Sequence, residues 1–231
     1  MTNNIFEKAI EYRADGYPVF PLVPGDKKPL PATNGFKDAT TDFETIMQWW
    51  GENPDANIGM PTGAISGIWV LDIDGQDGEA SLKAIEQEYG ELPATYTVKT
   101  GKGRHLYFAW PKSGGITNNA GRLGDGLDVR ADGGYVVAPP SRHENGREYR
   151  EAPDTLQNIV KAPDWLIDLI KKPEPKHGET GDRKWREALY GAPEGQRNNA
   201  IARIAGKLFA DGWEKEEVLQ HCIAINHTYN K

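Results

Sequence analysis

The stretch GIWVLDID, residues 67–74, places two aspartates directly behind an apolar run. Side chains alternate between the faces of a strand, so Asp72 and Asp74 point the same way, with Cα atoms about 6.5–7 Å apart. Two carboxylates on one face repel each other unless a cation lies between them, and hard divalent cations take oxygen ligands. The pair therefore indicates a metal site. The alternative is that it caps the turn DGQDG, because Asp and Gly favour turns.

A third carboxylate, Asp128 in GLDVR, also lies between apolar residues of an expected strand, with Arg130 two positions on and on the same face. Three carboxylates can hold two divalent cations about 3.5–4 Å apart, which activate an attacking oxygen and support a leaving one. The simpler alternative is an ion pair between Asp128 and Arg130 at a sheet edge.

The segment TGKGRHLYF predicts a phosphate contact between these two motifs. His105 begins a strand after a turn whose glycines let the backbone approach phosphate, and Lys102 and Arg104 add positive charge. A histidine can donate a hydrogen bond to a phosphate oxygen. The alternative is an ordinary hairpin with a basic tip, and the longer P-loop pattern is missing from the chain.

The elements that must position these residues follow from periodicity and turn signals. Helices are expected at residues 3–15, after an N-cap at Thr41 or Asp42, at residues 78–89 and in APDWLIDLI. Strands are expected in YPVFPLV, ANIGMPTG and GIWVLDID, in a hairpin of TYTVKT and HLYFAW, and on both sides of ADGG. Helices and strands mix without strict βαβ alternation, so the predicted class is α+β.

Composition limits the setting of these residues. The 231 residues carry a net charge of −7, which fits a nucleic-acid binder only if the face that binds the phosphates is locally basic. One cysteine, Cys222, excludes an internal disulfide and a cysteine-rich zinc site. With no signal peptide and no run near the roughly 18 apolar residues of a membrane span, we expect a cytoplasmic protein without membrane contact.

Three regions are expected along the chain. Residues 1–170 would form the domain that carries these motifs, and residues 171–182, KKPEPKHGETGD, have the composition of a linker. Residues 183–231 show helical spacing and predict a small helical domain. Because the last segment carries no helix stop signal, we expect this domain to be truncated and the chain to be a piece of a longer protein.

The order of these motifs resembles a known family. VLDID, GRH and GLD are similar to the three motifs of the primase-polymerase (prim-pol) group of the archaeo-eukaryotic primase superfamily, found in plasmid and phage replication proteins. Flanking segments such as VFPLVPGDKKPL and GGYVVAPPSRHENGREY are similar too, so the resemblance covers about residues 9–150. Residues 183–230 resemble the small helical domain that often follows prim-pol catalytic domains.

The resemblance implies a fold and an activity. The fold would be an N-terminal α/β unit packed on a sheet unit resembling an RNA-recognition motif, with the active site in the cleft between them, followed by the small helical domain. The activity would be template-directed nucleotidyl transfer, as primase or DNA polymerase or both, with release of pyrophosphate. Asp72, Asp74 and Asp128 would bind two divalent cations, Mg²⁺ or Mn²⁺, and His105 would contact the triphosphate.

Further contacts and partners are expected from charge, spacing and the resemblance. The candidate nucleotide contacts are Lys102, Arg104, Arg130, Ser141 and His143, and weaker template contacts are Lys27 and Lys28. The partners would be a single-stranded DNA template, a primer, deoxyribo- or ribonucleoside triphosphates and a replicative helicase, fused or in trans. No structural zinc is expected, because the chain lacks the cysteines of the zinc-binding insertion that some relatives carry.

Three other functions remain open from the sequence. The chain could be a non-catalytic nucleotide-binding module of replication initiation, which would bind nucleotide without incorporating it. A metal-dependent glycosyltransferase also uses Asp-x-Asp at a strand end, but it would not need the later His and Asp-x-Arg motifs. A metal-dependent nuclease could use the same carboxylates without any triphosphate.

Overall fold

The computed structural model describes residues 4–31, 33–153 and 155–171, and of the C-terminal part only residues 205, 206, 208, 213, 216–220 and 222. The chain divides into two compact units, Met1–Lys172 and Pro173–Lys231. The predicted linker after residue 171 and most of the predicted helical domain, residues 183–231, lie outside the described residues. The elements named below all belong to the first unit.

Helices and short strands alternate irregularly along this unit. The helices are α1 (Asn4–Ala14), α2 (Phe43–Glu52), α3 (Gly75–Tyr89) and α4 (Asp164–Lys171), and a 3-10 turn covers Gly35–Lys37. The strands are β1 (Phe20–Leu22), β2 (Asn57–Pro61), β3 (Ile68–Asp74), β4 (Thr97–Lys99), β5 (Gly103–Ala109), β6 (Asn119–Ala120), β7 (Leu127–Arg130), β8 (Tyr135–Ala138), β9 (Arg150–Glu151) and β10 (Val160–Lys161). Among the described helices, none is long and apolar enough to cross a membrane.

The strands form two sheets. The smaller has the order β1–β2–β8, and the larger has the order β6–β7–β3–β5–β4–β9, with β10 joining β5. The pairings are antiparallel apart from that of β10 with β5. Helices combined with mostly antiparallel sheets confirm the predicted α+β class.

Strand β3 has apolar side chains on both faces, so the larger sheet is covered on both sides. Ile68 and Val70 join a core with residues of α1, α2 and the smaller sheet. Trp69, Leu71 and Ile73 point the other way and pack with residues of α3 and α4. Asp72 and Asp74 continue the face of Ile68 and Val70, so the carboxylates begin where the apolar part of that face ends.

The elements predicted for residues 4–171 are present, with two informative differences. Helix α2 begins after Asp42, whose side chain accepts a hydrogen bond from the backbone N–H of Thr45 at 2.9 Å, as expected for an N-cap. Helix α3 begins at Gly75 and not at residue 78, because β3 passes directly into the helix through Gly75, whose φ is 64°. The segment ADGG does not join neighbouring strands, since β7 lies in the larger sheet and β8 in the smaller one.

Candidate functional site

Three predicted site residues lie side by side on adjacent strands of the larger sheet. In the antiparallel register, Asp72 of β3 is opposite His105 of β5 on one side and Asp128 of β7 on the other. Directly opposite residues share a face of a sheet, with Cβ atoms about 4.5–5.5 Å apart. The fold therefore brings together, in one row, residues that are far apart in the sequence. We call Asp128, Asp72 and His105 the site row.

Arg130 lies between the two carboxylates of the site row. Its Nη2 is 2.7 Å from Oδ2 of Asp128, to which it donates a hydrogen bond, and 3.8 Å from Oδ2 of Asp72. The other oxygen of Asp128 accepts a hydrogen bond from the backbone N–H of Gly121 at 3.0 Å. The ion pair of Asp128 with Arg130, considered from the sequence as an alternative to metal binding, is thus present.

Asp72 is the most buried carboxylate of the site, with 9% of its side chain exposed. Nε2 of His105 lies 3.3 Å from its Oδ1, but outside hydrogen-bond geometry, so the buried Oδ1 has no hydrogen-bond partner among the described residues. Burial raises the pKa of Asp72, but the polar contact and charge of His105, with the charges of Arg130 and Lys27, lower it by more. The pKa therefore stays below its ordinary value, and the carboxylate is charged at neutral pH.

Asp74 lies at the end of β3, two residues beyond Asp72 on the same face. Its backbone N–H donates to the carbonyl of Gly126 at 2.8 Å, which fixes the strand end against the loop before β7. Its side chain forms no capping hydrogen bond with α3, although it holds the N-cap position. The capping role considered from the sequence is therefore not the role of this carboxylate.

The donor chemistry of the site fits a hard divalent cation. Asp72, Asp74 and Asp128 supply carboxylate oxygens on one face, and Oδ1 of Asp72 is a buried oxygen to which no group in the described part of the chain donates a hydrogen bond. However, no three acidic, histidine or cysteine side chains among the described residues are already grouped closely enough to hold a metal ion. The ligand types fit, but the carboxylates are not gathered into a closed ligand set, and Arg130 lies between two of them.

The turn before β5 is held by side chains from a later loop. The carbonyl of Gly101 accepts hydrogen bonds from Asn145 at 3.0 Å and from Arg147 at 3.2 Å. A Cβ at Gly101 would overlap the ring of His143, so glycine is needed here for a close approach between the two loops. Lys102, at the tip of the turn, has an exposed side chain.

Arg104 is not brought to the site row. It is opposite Ile73 in the register, on the face of the sheet that packs against α3, and it forms a two-pronged ion pair with Glu79 at 2.8 Å for each contact. The structure thus separates Arg104 from His105, its neighbour in the chain, because consecutive strand residues point to opposite faces.

Ser141 and His143 lie beyond the smaller sheet, and both are buried. The hydroxyl of Ser141 accepts a hydrogen bond from the backbone N–H of Ile58 at 2.8 Å, which gives it a structural partner. The ring of His143 lies 6.0 Å from that of Tyr149, which in turn lies 6.1 Å from the ring of His105. The ring of Tyr149 thus lies between His143 and the site row, whereas Ser141 is hydrogen bonded to the backbone of β2.

The loop with Lys27 and Lys28 approaches the site from the smaller sheet. The charge of Lys27 is among those that lower the pKa of Asp72, and its carbonyl accepts a hydrogen bond from Tyr135 at 3.0 Å. Lys28 points outward, with 81% of its side chain exposed, and pairs with Asp26 at 3.3 Å. Lys27 is therefore the better placed of the two predicted template contacts.

Two residues that hold the site together were not predicted from the sequence. Asn57 donates to the carbonyls of Asp26 and Arg142 and accepts from the N–H of Arg142, so it joins the two loops that flank the site. Tyr149 lies between the rings of His105 and His143. The only sequence signal for Asn57 is a polar residue at the start of an apolar strand, and Tyr149 has none.

Comparison with known families adds a second line of evidence. The model of the family described as bifunctional DNA primase/polymerase, N-terminal, matches residues 9–165, which include the whole site row. The model described as Primase C terminal 1 (PriCT-1) matches residues 186–230. A search of curated proteins found no match.

Proposed function

The chain belongs to the bifunctional DNA primase/polymerase family, and we propose on this basis that it joins nucleotides on a single-stranded DNA template with release of pyrophosphate. The resemblance read from VLDID, GRH and GLD is confirmed by the family match. Together with the primase C-terminal match, membership supports a primase or polymerase role in replication. The enzyme class would be a nucleotidyltransferase.

One structural observation, the strand register, supports the proposal. Asp128, Asp72 and His105 come from three separate motifs, yet the strand register places them next to each other on one face. Asp74 follows on that face at the end of β3. A site for phosphoryl chemistry needs carboxylate oxygens and a phosphate-binding donor within a few ångströms of each other, and this row supplies both.

In the proposed mechanism Asp72, Asp74 and Asp128 hold two divalent cations, Mg²⁺ or Mn²⁺. Such ions, when bound, lower the pKa of a primer 3′-hydroxyl and stabilise the charge of the leaving pyrophosphate. The low pKa of Asp72 keeps this carboxylate ionised and ready to act as a ligand. His105 donates an N–H to an oxygen of the incoming triphosphate.

Positive side chains around the row would hold the phosphates and the template. Arg130 and the exposed Lys102 are the proposed triphosphate contacts, together with His143, whose ring lies against Gly101. Lys27 is the proposed template contact. Arg104 and Ser141 are left out, because one pairs with Glu79 on the other face and the other bonds to the backbone of β2.

The test is a gel assay of nucleotide incorporation on a single-stranded template, with and without a primer, with deoxyribo- or ribonucleotides and with Mg²⁺ or Mn²⁺. Asp72→Asn and Asp128→Asn should each lose incorporation by at least about 1,000-fold, because each removes a charged metal ligand. Asp125→Asn is the matched control, since Asp125 is exposed and lies three residues from Asp128. Equal activity in all three variants would contradict the proposal.

A non-catalytic nucleotide-binding module of replication initiation is the second candidate function. It is favoured by the position of Arg130 between two carboxylates that are not grouped as metal ligands. The gel assay separates the two candidates, because such a module would bind triphosphate in Mn²⁺ and form no product.

The replication context is a finer part of the proposal. We propose that the protein acts in plasmid or phage replication beside a helicase, fused or in trans, as the resemblance implies. Primer synthesis that rises when a replicative helicase unwinds a duplex template would support this, and indifference to the helicase would count against it.

A further inference from the structure

Arg130 combines three features that need an explanation. It lies on β7 two residues after Asp128 and on the same face, opposite Val70. One of its nitrogens contacts both carboxylates of the site row, at 2.7 Å and 3.8 Å. Its side chain is 34% exposed, whereas that of Asp72 is 9% exposed, so the arginine enters from solvent and the carboxylate is fixed below it.

The contact offsets a repulsion that the strand register creates. Asp72 and Asp128 are directly opposite each other on adjacent antiparallel strands, and like charges in that position destabilise a sheet. Arg130 places its positive charge between them. Within the described residues its guanidinium therefore occupies the position that a cation shared by these two carboxylates would need.

We propose that Arg130 is a built-in counter-ion that competes with divalent cations for Asp72 and Asp128, and that it moves from the carboxylates to the triphosphate when a metal-bound nucleotide enters. This inference rests on the proposed function and deepens it. Arg130 would couple metal binding to nucleotide binding, because it contacts the carboxylates in one state and the triphosphate in the other.

The coupling has a definite sign. Without nucleotide, Arg130 opposes cation binding, because the cation must displace a positive charge that is already hydrogen bonded to Asp128. When a nucleotide is bound, the displaced guanidinium donates charge-assisted hydrogen bonds to the triphosphate. Arg130 then no longer opposes cation binding but favours it. Coupling between two ligands is reciprocal, so each should raise the affinity for the other. The site would then load its cations together with a nucleotide, not before it.

The test is Mn²⁺ binding by the full chain, measured from the electron paramagnetic resonance signal of free Mn²⁺ in the absence of nucleotide. Arg130→Gln should bind Mn²⁺ about tenfold more tightly than wild type, because it removes a unit charge that lies 2.7 Å from an oxygen of Asp128 and 3.8 Å from an oxygen of Asp72. Arg130→Lys keeps a positive charge and should bind as wild type. Arg104→Gln is the matched control, since it deletes the same charge from an ion pair on the other face and should change Mn²⁺ affinity less than twofold.

In a second measurement, the affinity of Arg130→Gln for nucleotide should change in the opposite direction to its affinity for Mn²⁺. With saturating Mn²⁺, a fluorescent nucleoside triphosphate should bind Arg130→Gln about tenfold more weakly than wild type, because the displaced guanidinium no longer contacts the phosphates. Thermal melting of each variant with and without Mn²⁺ checks that it is folded. It should also show a larger Mn²⁺-induced rise in melting temperature for Arg130→Gln than for wild type.

The outcomes separate this inference from the proposed function. If wild type binds Mn²⁺ and Asp72→Asn does not, the metal assignment stands. In that case, unchanged or weaker Mn²⁺ binding by Arg130→Gln overturns only the counter-ion role. If wild type and Asp72→Asn bind Mn²⁺ equally, the metal assignment fails and the counter-ion role fails with it.

Discussion

Replacement of Gly103 by alanine tests whether the site depends on the close approach of β3 and β5. Gly103 begins β5 and is opposite Asp74. An added Cβ would overlap the carbonyl oxygen of Ile73 and lie 3.0 Å from its carbonyl carbon and 3.3 Å from Cα of Asp74. The contacts are to backbone atoms, so no side-chain rotation relieves them, and the strands must separate at the position of Asp74.

The magnitude follows from this geometry. Because packed heavy atoms lie about 3.5 Å or more apart, the strands must move by at least about 1 Å. A displacement of about 1 Å at a reacting centre can cost about 100-fold in rate. Overpacking also destabilises a fold by about 1–3 kcal/mol, which at this size lowers the melting temperature by about 2–4 °C per kcal/mol.

The assay is single-turnover primer extension by Gly103→Ala, with the rate expressed per folded molecule from a melting curve. Gly59→Ala is the matched control for lost stability, because its Cβ would lie 2.5 Å from the ring of Phe20 in the smaller sheet. Gly51→Ala, with open space around its Cβ on α2, is the control for a harmless change. If Gly103→Ala extends primers as fast as Gly59→Ala, the site does not depend on this strand spacing, and the reasoning is wrong.

Three further predictions address stability, pH and binding. Tyr107→Phe should leave the free energy of unfolding in urea unchanged or raise it by up to about 1 kcal/mol, since the buried hydroxyl has no hydrogen-bond partner within the described residues. A loss above about 1 kcal/mol would show that a partner exists. The hydrogen bond from the backbone N–H of Thr45 lowers the pKa of Asp42 in the folded state below its ordinary value of 3.8. This cap therefore stabilises the fold fully above pH 3.8 and loses its effect as the pH falls through the pKa of the folded state. Urea unfolding should therefore show wild type more stable than Asp42→Ala at pH 7 and less so at pH 3, and a constant difference would contradict this. Affinity for single-stranded DNA should fall as the salt concentration rises. Lys27→Gln should reduce the steepness of log affinity against log salt by about 0.7, and Lys28→Gln should reduce it less. Equal slopes in wild type and both variants would exclude a phosphate contact by Lys27.

Local sequence patterns were sufficient to predict the parts of the site that depend on single strands. The alternation along β3 predicts that Asp72 and Asp74 share a face, and the α+β class follows from the irregular order of helices and strands. The same alternation along β5 places Arg104 and His105 on opposite faces. Alternation alone therefore indicates that Arg104 does not share a phosphate site with His105.

The remaining features depend on contacts between distant parts of the chain. The register that places Asp72 between His105 and Asp128 involves three strands, and no local pattern fixes it. The hydrogen bond from Ile58 to Ser141 joins β2 to a loop more than 80 residues away, so Ser141 has a structural partner that no local pattern predicts. Similarly, the need for the second glycine of GKG, Gly103, is explained by the nearby carbonyl of Ile73, which belongs to a different strand.

The carboxylate site is tested most directly by anomalous diffraction from crystals soaked with Mn²⁺ and a non-hydrolysable nucleoside triphosphate. We expect Mn²⁺ peaks bounded by carboxylate oxygens of Asp72, Asp74 and Asp128, with the triphosphate beside His105. We also expect these peaks to disappear in Asp72→Asn crystals. Mn²⁺ peaks elsewhere in the protein, with none at these three aspartates, would contradict the account.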